Sequence, residues 1–219
     1  MNRRFESHLF WGPFSPLSIL TGTGLIILAS TRFAFAIVCT GALLWVYGLT
    51  ALVFSCARPV LPGRGKTAVL LFLSSLLCGL FMLLIGLINP LIIMGTGFFL
   101  LLIPPCCLGS GFFEASGSEY PIEVFSRALL EAIVLGLLIL AVALIREPLG
   151  MGTLSFPGGV EGIVELFILG ESGSFIPVRI LSMSAGGLLL LGYGIAVFRY
   201  LRERNGNIPR NDDVPEEGQ

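Results

Sequence analysis

The sequence predicts an all-α membrane protein with six transmembrane helices. Hydrophobic residues make up 55% of the 219 residues, charged residues make up 12%, and the mean hydropathy is +0.92. A soluble domain carries about a quarter charged residues. The apolar residues also fall into segments near the ~20 residues that a helix needs to span a bilayer. The predicted spans are residues 14–31, 33–56, 67–88, 90–107, 124–145 and 178–200.

These spans form one domain with short polar ends. Residues 1–13 are the predicted cytoplasmic N-terminus, residues 14–200 the six-helix domain, and residues 201–219 a disordered cytoplasmic tail. A cleaved signal peptide over residues 1–31 is a second interpretation of the first segment. Gly12, Pro13 and Pro16 interrupt it and no small-residue cleavage site follows, so we expect the first segment to be retained.

The distribution of Lys and Arg predicts the orientation in the bilayer. With the N-terminus inside and six crossings, the outer side receives three basic residues, Arg32, Arg146 and Arg179. The inner side receives ten, namely Arg3, Arg4, Arg58, Arg64, Lys66, Arg127, Arg199, Arg202, Arg204 and Arg210. Both termini are therefore expected in the cytoplasm. The net charge of −1 argues against a nucleic-acid partner.

The stretch from Pro104 to Gly111 breaks the end of the fourth segment. It holds two prolines, the adjacent thiols Cys106 and Cys107, and two glycines. Prolines and glycines free backbone polar groups, which a membrane tolerates only where protein or a cavity covers them. Because cysteines are soft metal ligands, the stretch predicts a site within the membrane.

A second glycine-rich stretch, Thr21–Gly24, interrupts the first segment. Each stretch opens a group of three segments, and three crossings per group would give the two groups opposite orientations. Interrupted segments at corresponding positions indicate an inverted repeat with a site between the halves. We therefore predict two inverted three-helix repeats with broken first and fourth helices.

The other cysteines and the charges within the segments have simpler interpretations. Cys39 and Cys78 are expected to pack as small apolar residues, although Cys78 could also supply a ligand. Arg127 and Glu131 share a helix face in the fifth segment, which suits either an ion path or an interfacial salt bridge. The pair Arg146–Glu147 is expected to cap a helix end or to contact another subunit.

Two stretches resemble the integral-membrane subunits of the Rnf/Nqr family, closest to the RnfE/NqrD branch. Residues 145–154, Ile-Arg-Glu-Pro-Leu-Gly-Met-Gly-Thr-Leu, are similar to the family's Arg-Glu-x-Leu-Gly-x-Gly-Thr-Leu pattern. Residues 107–115 resemble its Asn-Cys-x-x-x-Gly-Arg-Ala-Glu-Ala stretch, with Cys107, Gly111, Glu114 and Ala115 in register. The resemblance covers roughly residues 10–200 and includes the six-segment plan.

The resemblance implies a subunit of an ion-translocating oxidoreductase complex in the bacterial inner (cytoplasmic) membrane. Such complexes relay electrons between ferredoxin or NADH and flavin centres and couple the transfer to Na⁺ or H⁺ transport. The implied partners are a homologous six-helix membrane subunit, the other Rnf/Nqr-type subunits and the lipid bilayer. No nucleophile constellation or nucleotide fingerprint is present, so the chain alone is expected to be non-catalytic.

In this family two homologous subunits share an iron–sulfur cluster, each giving one cysteine from its first and one from its fourth segment. Cys107 matches the fourth-segment ligand of such a [2Fe–2S] cluster, and Cys106 takes the place of the family's Asn. Thr23 stands where the first-segment cysteine is expected, and Phe112 replaces the family's Arg. The alternative is therefore a non-redox paralogue, acting as an assembly or scaffold subunit or as a small-solute transporter.

Overall fold

A computed structural model of the chain describes residues 16–57, 66–109, 121–158, 162–168 and 179–204. Helices dominate the described residues, with one small antiparallel sheet. The elements are α1 (Pro16–Ala29), α2 (Phe33–Ala57), α3 (Lys66–Ile88), α4 (Pro90–Leu100), α5 (Ile103–Gly109), α6 (Pro121–Met151), β1 (Thr153–Pro157), β2 (Ile163–Ile168), α7 (Arg179–Ser182) and α8 (Ser184–Arg204).

Four helical stretches are long and apolar enough to cross a membrane. They are Phe33–Ala57, Lys66–Ile88, Pro90–Gly109 and Ile122–Met151. The first predicted span is a helix of 14 residues, and the apolar part of the last, Ser184–Val197, is also short. The structure therefore supports a helical protein with four membrane-length helices, while the count of six spans stays a prediction.

The predicted break in the first segment is wrong, because α1 continues without interruption through Thr21–Gly24. Gly22 and Gly24 lack side chains but keep their backbone donors, so a helix can include them at a modest cost of about 1 kcal/mol each. The helix ends after Ala29 instead. There the hydroxyls of Ser30 and Thr31 donate to the carbonyls of Ile27 and Leu28, at 3.3 and 3.0 Å.

The fourth segment is broken, but before its prolines rather than at them. Helix α4 ends at Leu100 and α5 begins at Ile103, which puts Pro104 and Pro105 in the first turn of α5. The first turn needs no backbone donors, so prolines are tolerated there. Their missing N–H groups instead leave the carbonyls of Leu100 and Leu101 without helical partners, which ends α4.

The stretch between the fifth and sixth predicted spans, residues 146–177, contains two strands that were not predicted. Helix α6 continues to Met151, and strands β1 and β2 then form an antiparallel hairpin with a bulge at Leu154 and Ser155. The sixth segment is also broken, at Met183, into the short α7 and the longer α8. Helix α8 runs to Arg204, four residues into the predicted tail.

Helix α2 forms the centre of the bundle and packs most extensively against α6. Small residues make this crossing close. A Cβ atom on Gly136 of α6 would lie 2.5 Å from the side chain of Thr40 on α2. The Thr40 hydroxyl donates to the carbonyl of Ala36 within its own helix at 2.8 Å. Close backbone approach through small residues is the usual basis of helix packing in membranes.

The hairpin covers one end of the bundle, which we call the hairpin end. The ends of α1 and α6, the start of α2 and the α3–α4 turn all lie there. Phe156 of β1 packs edge-on against Phe33 at the start of α2, with ring centroids 5.3 Å apart. The predicted N-terminal segment 1–13, the stretch 110–120 with Gly111, Phe112, Glu114 and Ala115, and residues 205–219 lie outside the described residues.

Candidate functional site

The two adjacent thiols lie in the interior of the bundle. Cys106 and Cys107 belong to α5, which packs against α1, α2 and α3. Cys107 is completely buried and Cys106 is 6% exposed. Burial of this degree separates both thiols from solvent and from the bundle surface. The short helix α5 positions them and packs against α1. A Cβ atom on Gly24 of α1 would lie 4.0 Å from Cδ1 of Leu102, just before α5.

A side-chain hydrogen bond joins Thr21 of α1 to Cys106 of α5. It brings the glycine-rich stretch of the first segment beside the thiols of the fourth segment. The sequence predicts that both stretches interrupt helices. In the structure the two stretches instead belong to packed helices that contact each other. Thr23, at the position of the expected first-segment cysteine, belongs to the same unbroken helix.

Glu131, one of the acidic residues that the sequence singled out, lies near the thiols. It lies on α6, half-buried, within electrostatic range of the Cys107 thiol. Arg127, four residues earlier on the same helix, is exposed. The structure therefore associates Glu131 with the thiols and leaves Arg127 at the surface of the bundle. An ion path through Arg127 and Glu131 stays a prediction.

Cys78 has a role that the sequence did not reveal. Its thiol donates a hydrogen bond to the carbonyl of Leu100 at 3.2 Å. That carbonyl is one of the two left without a helical partner, because residue 104 is a proline with no N–H to donate. A buried carbonyl without a partner costs about 1–3 kcal/mol, so the thiol stabilises the break between α4 and α5.

This contact leads to a testable difference between two substitutions of Cys78. We expect Cys78→Val to lower the free energy of unfolding by about 1–2 kcal/mol, since valine fills the space but cannot donate. Cys78→Ser keeps a donor and should remain closer to the parent. Thermal unfolding in detergent measures both, with Cys56→Val at an exposed thiol as the control. Equal stability of the serine and valine variants would contradict the assignment.

The described residues do not form a complete metal site. Cys39 lies within electrostatic range of both Cys78 and Cys106. Even so, no group of three or more His, Cys, Asp or Glu side chains within the described ranges is arranged to hold a metal ion. A cluster shared with another subunit also requires thiols that reach the shared surface, and Cys107 is buried in its own chain. Cluster binding stays a prediction.

A second candidate site is the hub around Arg146, which we define as Arg146, Glu147 and their hydrogen-bonding partners. The guanidinium of Arg146 is fully buried and donates to five acceptors in two separate segments, residues 27–30 and 181–183. The acceptors are the carbonyls of Ile27, Leu181, Ser182 and Met183 and the hydroxyl of Ser30, at distances of 2.6–3.0 Å. Arg146 thus caps the ends of α1 and α7.

Glu147, the next residue, binds the N-terminal end of a helix, whereas Arg146 binds C-terminal ends. Its Oε2 accepts a hydrogen bond from the backbone N–H of Phe33, the first residue of α2, at 2.6 Å. The hydroxyl of Ser155 in β1 accepts from the next N–H, that of Ala34, at 3.3 Å. A carboxylate suits the positive end of a helix and a guanidinium suits the negative end. The capping role considered for Arg146–Glu147 is therefore the one that the structure contains.

Glycines allow the backbones around the hub to approach closely. A Cβ on Gly150 would lie 2.9 Å from the backbone nitrogen of Ser182, and one on Gly187 would lie 3.2 Å from Nη1 of Arg146. Gly152 has a φ of 71°, which lets the chain turn from α6 into β1. The glycines of the Arg-Glu stretch thus have defined structural uses. The contacts of Arg146 and Glu147 with residues 27–33 and 181–183 could not be read from local sequence.

Together these features define a class: a helical protein with four membrane-length helices, buried thiols between α1 and α5, and a buried Arg–Glu hub. Neither the protein-family models nor the curated proteins searched contain a match to this chain. The fold and the two candidate sites therefore establish this class for the protein.

Proposed function

We propose that the chain is a membrane subunit of an Rnf/Nqr-type ion-translocating oxidoreductase, similar to the RnfE/NqrD branch. In this role it would help to relay electrons between ferredoxin or NADH and flavin centres, coupled to Na⁺ or H⁺ transport. The chain would act with a homologous six-helix subunit and would not catalyse a reaction by itself. Its expected place is the bacterial inner membrane.

The observation that carries the proposal is the way the fold uses the Arg-Glu motif. Arg146 and Glu147 cap three helix ends, Gly150 admits the α7 backbone, and Gly152 turns the chain into the hairpin. Four positions of the motif that carries the family resemblance therefore have specific structural uses.

The contact between α1 and α5 gives further support. The family resemblance implies that the first and fourth segments approach one another at the redox site. Thr21 and Cys106 join those segments here. In the proposed complex Cys107 would be the better ligand candidate and Cys106 the neighbouring alternative. A bound [2Fe–2S] cluster would accept and pass on single electrons.

The proposal includes an orientation and six crossings. The hairpin end would face outward, because among the basic residues that the structure describes it holds Arg32 and Arg146, whereas others lie at the opposite end. Lys66 begins α3 at the opposite end, and the C-terminal turns of α8 carry Arg199, Arg202 and Arg204. The short α1 and α8 would be the first and last crossings.

A non-redox paralogue is the second candidate function, and a specific observation favours it. Thr23 replaces the first-segment thiol, and the remaining candidate ligand Cys107 is completely buried in its own chain. Such a subunit would keep the capped fold and the contacts with its partners without holding a cluster. Assembly, scaffolding or small-solute transport would then be its role.

Iron and acid-labile sulfide analysis of the purified native complex tests the proposal. We expect a cluster that is lost with Cys107→Ala and kept with Cys56→Ala, which removes an exposed thiol. Co-purification of flavin-containing and ferredoxin-like subunits is expected in both variants. Iron that stays at full stoichiometry in Cys107→Ala would contradict the ligand assignment. Purification without any redox partner would favour the paralogue.

A further inference from the structure

A cavity of about 400 Å³ lies beneath the hairpin and between α2, α3 and the start of α4. Its walls carry Ile37, Val38 and Gly41 from α2 and Phe81, Ile85 and Ile88 from α3. Ile92 and the amide of Asn89 complete the far side, and Pro157 and Gly158 of the hairpin form the roof. The volume falls within the range of about 300–1,000 Å³ that is typical of ligand pockets.

The roof of the cavity is held in place by a tight backbone contact. Gly162 has a φ of +84°, and a Cβ there would lie 3.2 Å from both Asn89 Oδ1 and Leu91 Cβ. The backbone N–H of Gly158 donates to the carbonyl of Gly162 at 3.1 Å, which closes the hairpin. The hairpin is therefore seated directly on the α3–α4 turn, and the space below it is a defined feature of the fold.

The surroundings of the cavity point to lipid. Ile88, which lines it, is 82% exposed, and its neighbour Leu87 also lies on the open face of a membrane-length helix. Water would find little to bind, because Asn89 is the single side chain with a polar group among the lining residues. An apolar pocket that opens beside Ile88 suits an apolar ligand.

We propose that this cavity binds the acyl chain of a membrane phospholipid, which enters sideways from the bilayer beside Ile88. The chain lies between α2 and α3, and the hairpin limits how far it reaches toward the membrane surface. The site requires insertion in a bilayer but is independent of electron transport. Its failure would leave the proposed redox function untouched, and the iron analysis above would leave this site untouched.

The probe is a phospholipid with a photoactivatable diazirine on its acyl chain, used with the full-length chain in phosphatidylglycerol and phosphatidylethanolamine vesicles. We expect labelled residues to lie in peptides that contain Ile37–Gly41 or Ile85–Ile92. The test variant is Gly41→Leu, since a Cβ at this position meets Phe81 at an ordinary 3.7 Å and the larger side chain would fill the cavity. Labelling should fall about ten-fold, as expected when two buried methylene groups are displaced.

The matched control is Gly79→Leu on α3, where a Cβ would have no neighbour within 4 Å. It makes the same change without entering the cavity, and its labelling should equal that of the parent. Ile85→Ala enlarges the cavity and should keep or increase labelling, which secures the test if Gly41→Leu does not fold. Equal labelling of Gly41→Leu and the parent, a label confined to other peptides, or recovery of an isoprenoid instead of a phospholipid would overturn the proposal.

Discussion

Arg146→Met lowers the free energy of unfolding by roughly 3–5 kcal/mol, because four partly buried carbonyls and one buried hydroxyl lose their hydrogen bonds to the guanidinium together. Methionine can occupy much of the volume of the arginine stem but donates no hydrogen bond. The acceptors lie at the ends of α1 and α7. Among them, the Met183 carbonyl keeps the N–H groups of Gly186 and Gly187 as donors. For a chain of this size the loss corresponds to a fall of roughly 10 °C in Tm.

Thermal unfolding in detergent measures this loss, with Arg127→Met as the matched control. Arg127 lies on the same helix but is exposed, so its replacement should change Tm by no more than about 2 °C. Arg146→Lys should fall between the parent and Arg146→Met, since a single ammonium group cannot reach both α1 and α7. A Tm for Arg146→Met equal to that of the control would refute the capping role.

Gly186→Val is the second large effect that we expect. A Cβ on Gly186 would lie 2.3 Å from the carbonyl oxygen of Ile180 and 2.4 Å from Cα of Leu181. Both contacts are with backbone, which cannot move aside as a flexible side chain can. Helix α8 must then separate from α7, which pulls the carbonyls of residues 181–183 away from Arg146. We expect a loss of about 3 kcal/mol, at the upper end of the range for overpacking.

The matched control for Gly186→Val is Gly192→Val on the same helix. Among the residues that the structure describes, no atom beyond the backbone of its own helix lies within 4 Å of a Cβ at Gly192, so this variant changes helix propensity without creating a clash there. Its Tm should stay within about 2 °C of the parent, because Val and Gly differ little in propensity. Limited proteolysis near α7 would show the separation directly. Resistance equal to that of Gly192→Val would mean that the two helices tolerate the added side chain.

The sequence predicted a mostly helical protein and the positions of its four long apolar helices, because hydrophobicity over ~20 residues is a local property. It predicted the breaks less well. Glycines were expected to interrupt α1, yet they keep their N–H groups and the helix continues through Thr21–Gly24. In the fourth segment the missing proline donors act one turn upstream, so the break appears at Leu101–Leu102. Such a break therefore lies at the carbonyl that loses its partner, one turn before the proline, and not at the proline itself.

For the two sites, the sequence could predict the residue types but not their partners in the fold. The thiol pair and the Arg-Glu pair stand out in the sequence, and both lie buried in the structure. Their partners are far away along the chain, from Thr21 on α1 to Leu181 on α7, and only the folded bundle brings them near. The hairpin had a local signal: two short runs rich in β-branched and aromatic residues flank Gly158 and Gly159. A polar composition concealed it.

The hydrogen bond from Arg146 to Ile27 spans 119 residues of sequence, which has a consequence for synthesis. At roughly 5–20 residues per second, a ribosome needs roughly 6–24 s to reach Arg146 after it has made Ile27. During that time the carbonyls at the end of α1 lack their guanidinium donor, and the N–H of Phe33 lacks its carboxylate. The first two helices are therefore expected to enter the bilayer as an unfinished pair. Nascent chains that stop before residue 146 should remain substrates for membrane proteases.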